Sequence, residues 1–362
     1  MLLLFPAKAS AASVPYMGPM NRRAILSSIA AAAFALSLGG CVGRHVHPRP
    51  GQLTLGMVTD VGGLGDKSFN DSAYNGLLRS RADLDAYIKV LQSKSAADYQ
   101  PNLTVLSEAR FNMIYAIGFL MGDDLQQVAH QFPQQNYAII DDVVPAPNII
   151  SVTFKEEDGS FLAGALAAMV SKTKHVAFIG GMDIPLIRKF EAGYEAGVRQ
   201  IDPSVKVDVK YAGSFDDVAT GKELANLLFN GGADIIYTAA GKVGLGAIDA
   251  ARTRPQGYYI IGVDNDQDAV APGKVLTSMV KHVDIAVFDI AKGIQTGHPP
   301  HGHVVLGLKD RGISLTDFKY TRSAISSAQL QTLDTLRKAI IAGKITVPYT
   351  REALATWKPA NL

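Results

Sequence analysis

The chain has 362 residues, with 35 Lys and Arg against 33 Asp and Glu, a formal net charge of +2 and 48% apolar residues. The absence of a basic excess argues against a nucleic-acid partner, and one cysteine excludes an intrachain disulfide. The length exceeds what a single hydrophobic core ordinarily supports and fits two lobes.

Residues 1–40 contain no Asp or Glu, and Asn21-Arg22-Arg23 precedes an apolar run from Ala24 to Leu38. This is the charged n-region and apolar h-region of an export signal, shorter than the roughly 20 residues needed to span a bilayer. Met20 is a more natural start for that n-region than Met1. The run closes on Leu38-Gly39-Gly40-Cys41, which resembles a bacterial lipobox. The resemblance implies cleavage after residue 40 and a lipid on the Cys41 sulfur. Cleavage there removes Lys8, Arg22 and Arg23, which leaves 32 basic residues against 33 acidic ones. Residues 41–51 then form the lipidated cysteine and a Pro- and Gly-containing tether, in which His45 and His47 are read as polar rather than metal-binding.

From Leu53 onward, short apolar runs alternate with segments of helical period. The predicted strands are 53–59, 86–91, 112–117, 137–140, 176–179, 205–210, 234–238, 258–263 and 275–280. Helical patterns fall at 70–81, 160–171, 187–201, 218–229 and 285–295. Continuous apolar strands separated by helices define an α/β class with parallel sheets covered on both faces. The pattern allows a division near residues 152–159. In open α/β sheets ligands collect beyond the carboxyl ends of the strands, so the strand-end loops carry the functional reading.

The first strand runs into Thr59-Asp60-Val61-Gly62-Gly63-Leu64-Gly65-Asp66-Lys67-Ser68-Phe69-Asn70, a glycine-rich loop feeding a helix. A phosphate-binding loop needs Gly before Lys-Ser, and Asp66 stands there instead, where its charge would repel phosphate. Ser68 or Asn70 is the expected helix cap. Gly241-Lys242-Val243-Gly244-Leu245-Gly246 has the wrong spacing for a dinucleotide fingerprint. Asp264-Asn265-Asp266-Gln267-Asp268 begins like a calcium loop but has Ala269 and Val275 where Gly and Glu are required. His298, His301 and His303 suggest a polar hairpin rather than a metal site. No catalytic constellation assembles, so neither a metal nor a cofactor is expected and the chain is not read as an enzyme.

What remains is a set of strand-end residues: Asp60, Phe69, Asn70, Asp141, Phe215, Asp264 and Lys281. Aromatic faces stack on flat rings, carboxylates accept hydrogens from vicinal hydroxyls and a lysine donates to them. That inventory suits a neutral polyhydroxylated ligand carrying a flat ring. Singly, Phe215 reads as core, Lys281 as a surface charge and Asp264 as a turn residue; their joint placement at strand ends of both halves points to a cleft.

Six segments resemble the basic membrane protein family of bacterial ABC-transporter substrate-binding lipoproteins, the purine nucleoside receptor A type. They are VTDVGGLGDKSFNDSAYNGL (58–77), YAIIDD from Tyr137, FKEEDGSFLAGALAA from Phe154, GSFDD from Gly213, IIGVDNDQ from Ile260 and TSMVKHVD from Thr277. The resemblance implies a type I periplasmic-binding-protein fold, two Rossmann-like lobes with parallel sheets joined by a hinge. Lobe one would take residues 52–155 and a return segment near 265–310, and lobe two residues 156–264 and the C-terminal segment. It implies a purine base held between Phe69 and Phe215, with Asn70 and Asp141, or its neighbour Asp142, bonding the base. Asp60, Ser68, Asp264 and Lys281 would hold the ribose, with Gly241 allowing close backbone approach. Lys242-Val243 departs from the smaller residues common there. The implied partners are a nucleoside, an ABC permease and an ATPase on separate chains, and the membrane through Cys41, for a monomer in the cell envelope on the periplasmic or extracellular face. A sugar or other small solute is the alternative ligand, and a periplasmic nucleoside-processing enzyme the alternative activity. A repressor with the same lobes would need an N-terminal helix-turn-helix where the export signal stands.

Overall fold

The computed structural model describes residues 47–361; the export signal, Cys41 and residues 42–46 of the tether lie outside the described residues. Among the described residues twelve strands form two six-stranded sheets. The first contains β1 (Thr54–Thr59), β2 (Tyr87–Gln92), β3 (Met113–Ile117), β4 (Tyr137–Ile140), β5 (Ile149–Phe154) and β11 (His303–Leu306), in the order β11-β5-β4-β3-β1-β2. All its pairings are parallel. The second contains β6 (His175–Gly180), β7 (Lys206–Tyr211), β8 (Ile235–Ala239), β9 (Tyr259–Val263), β10 (Val275–Lys281) and β12 (Ile313–Leu315), in the order β12-β10-β9-β8-β6-β7. Only β12 runs antiparallel, against β10. Every residue of β3, β4, β8 and β9 is buried, as strands covered by helices on both faces must be. The edge strands β2 and β7 carry Lys89, Lys206, Asp208 and Lys210 and are only half-buried, which blunts edge-to-edge pairing.

The chain crosses between lobes three times, at Lys155 between β5 and α4 (Glu156–Val170), at His282 between β10 and α8 (Val283–Thr296), and at 307–312 between β11 and β12. Helix α8 returns to the first lobe, where the Tyr115 hydroxyl donates to the Val287 carbonyl at 2.9 Å. Because β10 is paired in the second sheet, this return begins after Lys281 rather than near residue 265. Helix α4 lies on the second sheet, with Ser160 Oγ 3.1 Å from the Tyr237 hydroxyl. The histidine-rich 298–303 stretch is not a hairpin: it links α8, ended by Gly297 in a left-handed conformation, to the parallel strand β11. His303 Nε2 lies 2.7 Å from Thr153 Oγ1, while His298 Nδ1 lies 2.9 Å from the Thr296 carbonyl, so the imidazoles serve separate partners.

Candidate functional site

The carboxyl ends of β1, β3, β4, β8, β9 and β10, with the segments that follow β6 and β7, converge on one concave cavity lined by both lobes, the setting in which small molecules are usually bound. From the first lobe it is lined by Asp60, Phe69, Asn70, Gly118, Phe119 and Asp141, and from the second by Phe215, Gly241, Lys242, Asp264 and Lys281. Of the residues expected from the sequence, Ser68 and the alternative Asp142 are not in the lining; Ser68 is buried behind it.

The loop after β1 is organised by Asp66. Its carboxylate accepts from the backbone amides of Ser68 (2.9 Å), Asn70 (2.8 Å) and Asp71 (3.1 Å), and from Asn70 Nδ2 (3.1 Å). Asp66 is therefore the group that satisfies the start of α1 (Phe69–Asp83), in place of the expected Ser68 or Asn70. The residue that breaks the phosphate-loop pattern fills the anion position with its own side chain. Asn70 Nδ2 also donates to Asp60 Oδ1 at 2.8 Å. Burial pushes the Asp60 carboxyl up to about 6, against the lowering effect of that amide and of the Gly62 N–H.

The second cluster joins the lobes. Lys281 Nζ contacts Asp141 Oδ2 at 2.5 Å, Glu156 Oε1 at 3.7 Å and Asp264 Oδ1 at 3.8 Å, and its side chain is 3% exposed. Burial disfavours its charge, but the Asp141, Asp264 and Glu156 carboxylates outweigh it and hold its pKa above the ordinary lysine value. Lys281 is thus no surface charge. Ser68 Oγ reaches across from the first lobe to donate to Asp264 Oδ2 at 2.6 Å. Desolvation raises the Asp264 carboxyl to about 6, partly offset by Lys281 and Ser68. Asp141 and Asp264 both have positive φ, 72° and 63°, a left-handed backbone uncommon outside glycine and concentrated at functional sites. Among the described residues Asp141 Oδ1 and Asn70 Oδ1 are buried without a hydrogen-bond partner, so each retains acceptor capacity at the cavity.

The aromatic walls complete the site. Phe69 is the first residue of α1, with Lys281 Nζ 4.8 Å from its ring centroid. Phe215 sits on the backbone of Gly181: a Cβ added at that glycine would lie 2.2 Å from the ring's Cε1. Its carbonyl accepts from Lys242 N at 2.9 Å, and Gly241 has φ +58°, which permits the tight turn beside it. Sequence reasoning missed Gly118, Phe119, Leu186, Ile187 and Phe190, which also line the cavity. Gly118 and Phe119 directly follow β3, so the strand-end rule would have found them. The other three lie on the first turns of α5 (Pro185–Ile201) and carry the signature of an ordinary core-facing helix.

Two lobes built on largely parallel sheets, meeting at a cavity with aromatic walls and buried charged groups, have the type I periplasmic-binding-protein fold. Residues 53–351 match the Bmp family, described as ABC transporter substrate-binding protein PnrA-like, and the chain belongs to that family. It is 34% identical, over 91% of its length and 99% of the relative's, to the ABC transporter nucleoside-binding protein BmpA of Lactococcus lactis subsp. cremoris. It is 35% identical, over 83% of its length and 92% of the relative's, to basic membrane protein A of Borreliella afzelii. Among solved structures, it resembles an ABC transporter system solute-binding protein from Aeropyrum pernix K1 with TM-score 0.78 and 27% identity, covering 84% of this chain and 96% of that one. The chain is accordingly an ABC-transporter substrate-binding protein. Among the described residues no helix is long and apolar enough to cross a membrane, and no group of three or more His, Cys, Asp or Glu side chains is arranged to hold a metal ion.

Proposed function

We propose that this protein captures purine nucleosides outside the cytoplasm, anchored by a lipid on Cys41, and delivers them as a monomer to a permease and ATPase on separate chains. The observation that carries this reading is the pairing of two phenylalanines from opposite lobes, Phe69 and Phe215, with a hydroxyl-binding cluster in the same cavity. A base stacks between the rings. Lys281 donates to ribose hydroxyls while Asp264 accepts from them, each already oriented by a neighbour. Asn70 and Asp141 keep free acceptor atoms for the base, and Asp60 sits beside Asn70. The name of the Lactococcus relative supports nucleosides over free sugars.

The mechanism is closure. Ligand contacts from both lobes stabilise the closed state, which the permease reads, while the Lys281–Asp141 and Ser68–Asp264 contacts already bridge the lobes. Turnover is not part of it: incubation with inosine is expected to release no hypoxanthine. Calorimetric titration of the purified protein with adenosine, guanosine and inosine tests the reading. Micromolar or tighter binding of at least one is expected, and absence of both heat and thermal shift with all three would remove it.

A further inference from the structure

We propose that Phe119 is a third aromatic wall of the site and the first lobe's half of an aromatic closure that retains the ligand. This rests on the nucleoside reading above and extends it to a residue that the sequence motifs did not single out. Three observations carry it. Phe119 lines the ligand cavity and is half-buried. Its ring centroid lies 6.4 Å from that of Phe215 with the planes at 72°, the edge-to-face geometry favoured by aromatic pairs. The two rings also belong to different lobes, so their contact exists only while the lobes are together.

The local backbone gives Phe119 little freedom to serve any other purpose. Gly118, just past β3, has φ 116° and ψ 145° and starts the short 3₁₀ turn Phe119–Met121. A Cβ on Gly118 would stand 3.3 Å from Asp60 Oδ2 and 3.6 Å from Phe69 Cε1, so the turn is pressed against the base-binding wall and delivers the next side chain to the cleft. On the other side Phe215 rests on Gly181 and cannot retreat toward the sheet. A ligand stacked on Phe215 leaves only after the lobes part and the Phe119 contact breaks. Association begins from the open state, where that contact is absent. Phe119 therefore acts on the dissociation rate and leaves the association rate unchanged.

Stopped-flow binding of adenosine to wild type, Phe119→Ala, Phe119→Leu and Phe119→Tyr tests this, with thermal melts run in parallel. The expected result is a dissociation rate raised roughly 3- to 10-fold in Phe119→Ala at an association rate within about twofold of wild type. Phe119→Leu should fall between, and Phe119→Tyr, which keeps the ring, should match wild type. If Phe119→Ala does not fold, the Leu and Tyr variants decide by the same order. A wild-type dissociation rate in the Ala or Leu variant, with adenosine still bound, would overturn the inference and leave the nucleoside reading standing. Failure of wild type to bind any nucleoside would end both, and an equal slowing of association in Phe119→Ala would assign the residue to the shape of the open site instead.

Discussion

The two aromatic walls of the cavity are held in different ways. Phe69 is fixed by polar contacts: its helix starts on the Asp66 carboxylate, and Lys281 lies over its ring, tied to Asp141. Phe215 is fixed by shape: it lies on a glycine backbone in a loop whose carbonyl anchors the next turn. The first wall depends on charge and hydrogen bonding, so disturbing it disturbs the fold of the lobe. The second depends on the absence of one methyl group, so it can be disturbed with little cost in stability.

The largest expected effect is on the polar wall. Lys281→Met leaves Asp141 and Asp264 buried without their shared cation, while Glu156 keeps Lys189 at 2.5 Å, and a stability loss of about 3–5 kcal/mol is expected by urea denaturation. A loss below about 1 kcal/mol would mean that the carboxylates neutralise themselves by taking up protons. Asp66→Ala comes next. It strips four N–H donors of their acceptor at the start of α1 and should cost about 2 kcal/mol, together with nucleoside affinity, because Phe69 and Asn70 lose their anchor.

Gly181→Ala probes the other wall. The added methyl must displace the half-buried Phe215 ring, so affinity should fall about 5- to 150-fold, the equivalent of roughly 1–3 kcal/mol for one stacked face, while the melting temperature stays near wild type. A parallel loss of stability would show that Phe215 is held by more than shape.

The effect of pH is set apart by its sign rather than its size. Asp60 and Asp264 have folded values of about 6, above the ordinary 3.8, so between these values the folded chain binds more protons than the unfolded one. Their contribution to stability therefore falls as pH rises through that window and is recovered on acidification. Ligand hydroxyls need the ionised carboxylates as acceptors, so affinity moves the other way and drops by about tenfold per group from pH 7 to pH 5. Titrations and urea melts at the two pH values should diverge; a common direction would place the titrating groups outside the site.

Much of the fold was legible in the sequence because parallel strands buried on both faces leave continuous apolar runs. The run at 137–140 coincides with β4, and its neighbours in the central sheet positions differ from the observed strands by a residue or so at the ends. Three strands were not legible. β5 (IISVTF) carries Ser151 and Thr153 among its apolar residues and ends at the crossover between lobes. β11 (HVVL) is a half-exposed edge strand of four residues, and β12 has three. Such strands are defined by pairing with distant partners, which local pattern does not carry. The site divides in the same way. The residues of the β1 loop stood out because glycines and an out-of-place Asp66 interrupt a strand-to-helix junction. Phe119 and Phe190 were hidden because an aromatic next to Leu120, or three residues after Ile187 on a helix, reads as core until the other lobe is in view. Lys281 taken singly resembles a surface charge for a related reason: its three carboxylate partners lie 17, 125 and 140 residues away in the chain, as Asp264, Glu156 and Asp141.

The most direct test of the account is calorimetric titration of a purine nucleoside into wild type, Phe69→Ala and Phe215→Ala. A base held between walls from both lobes predicts micromolar or tighter binding in wild type and a loss of about 5- to 150-fold in each variant separately. A loss confined to one variant, with the other binding as wild type, would contradict the two-walled site and favour a ligand stacked on a single face.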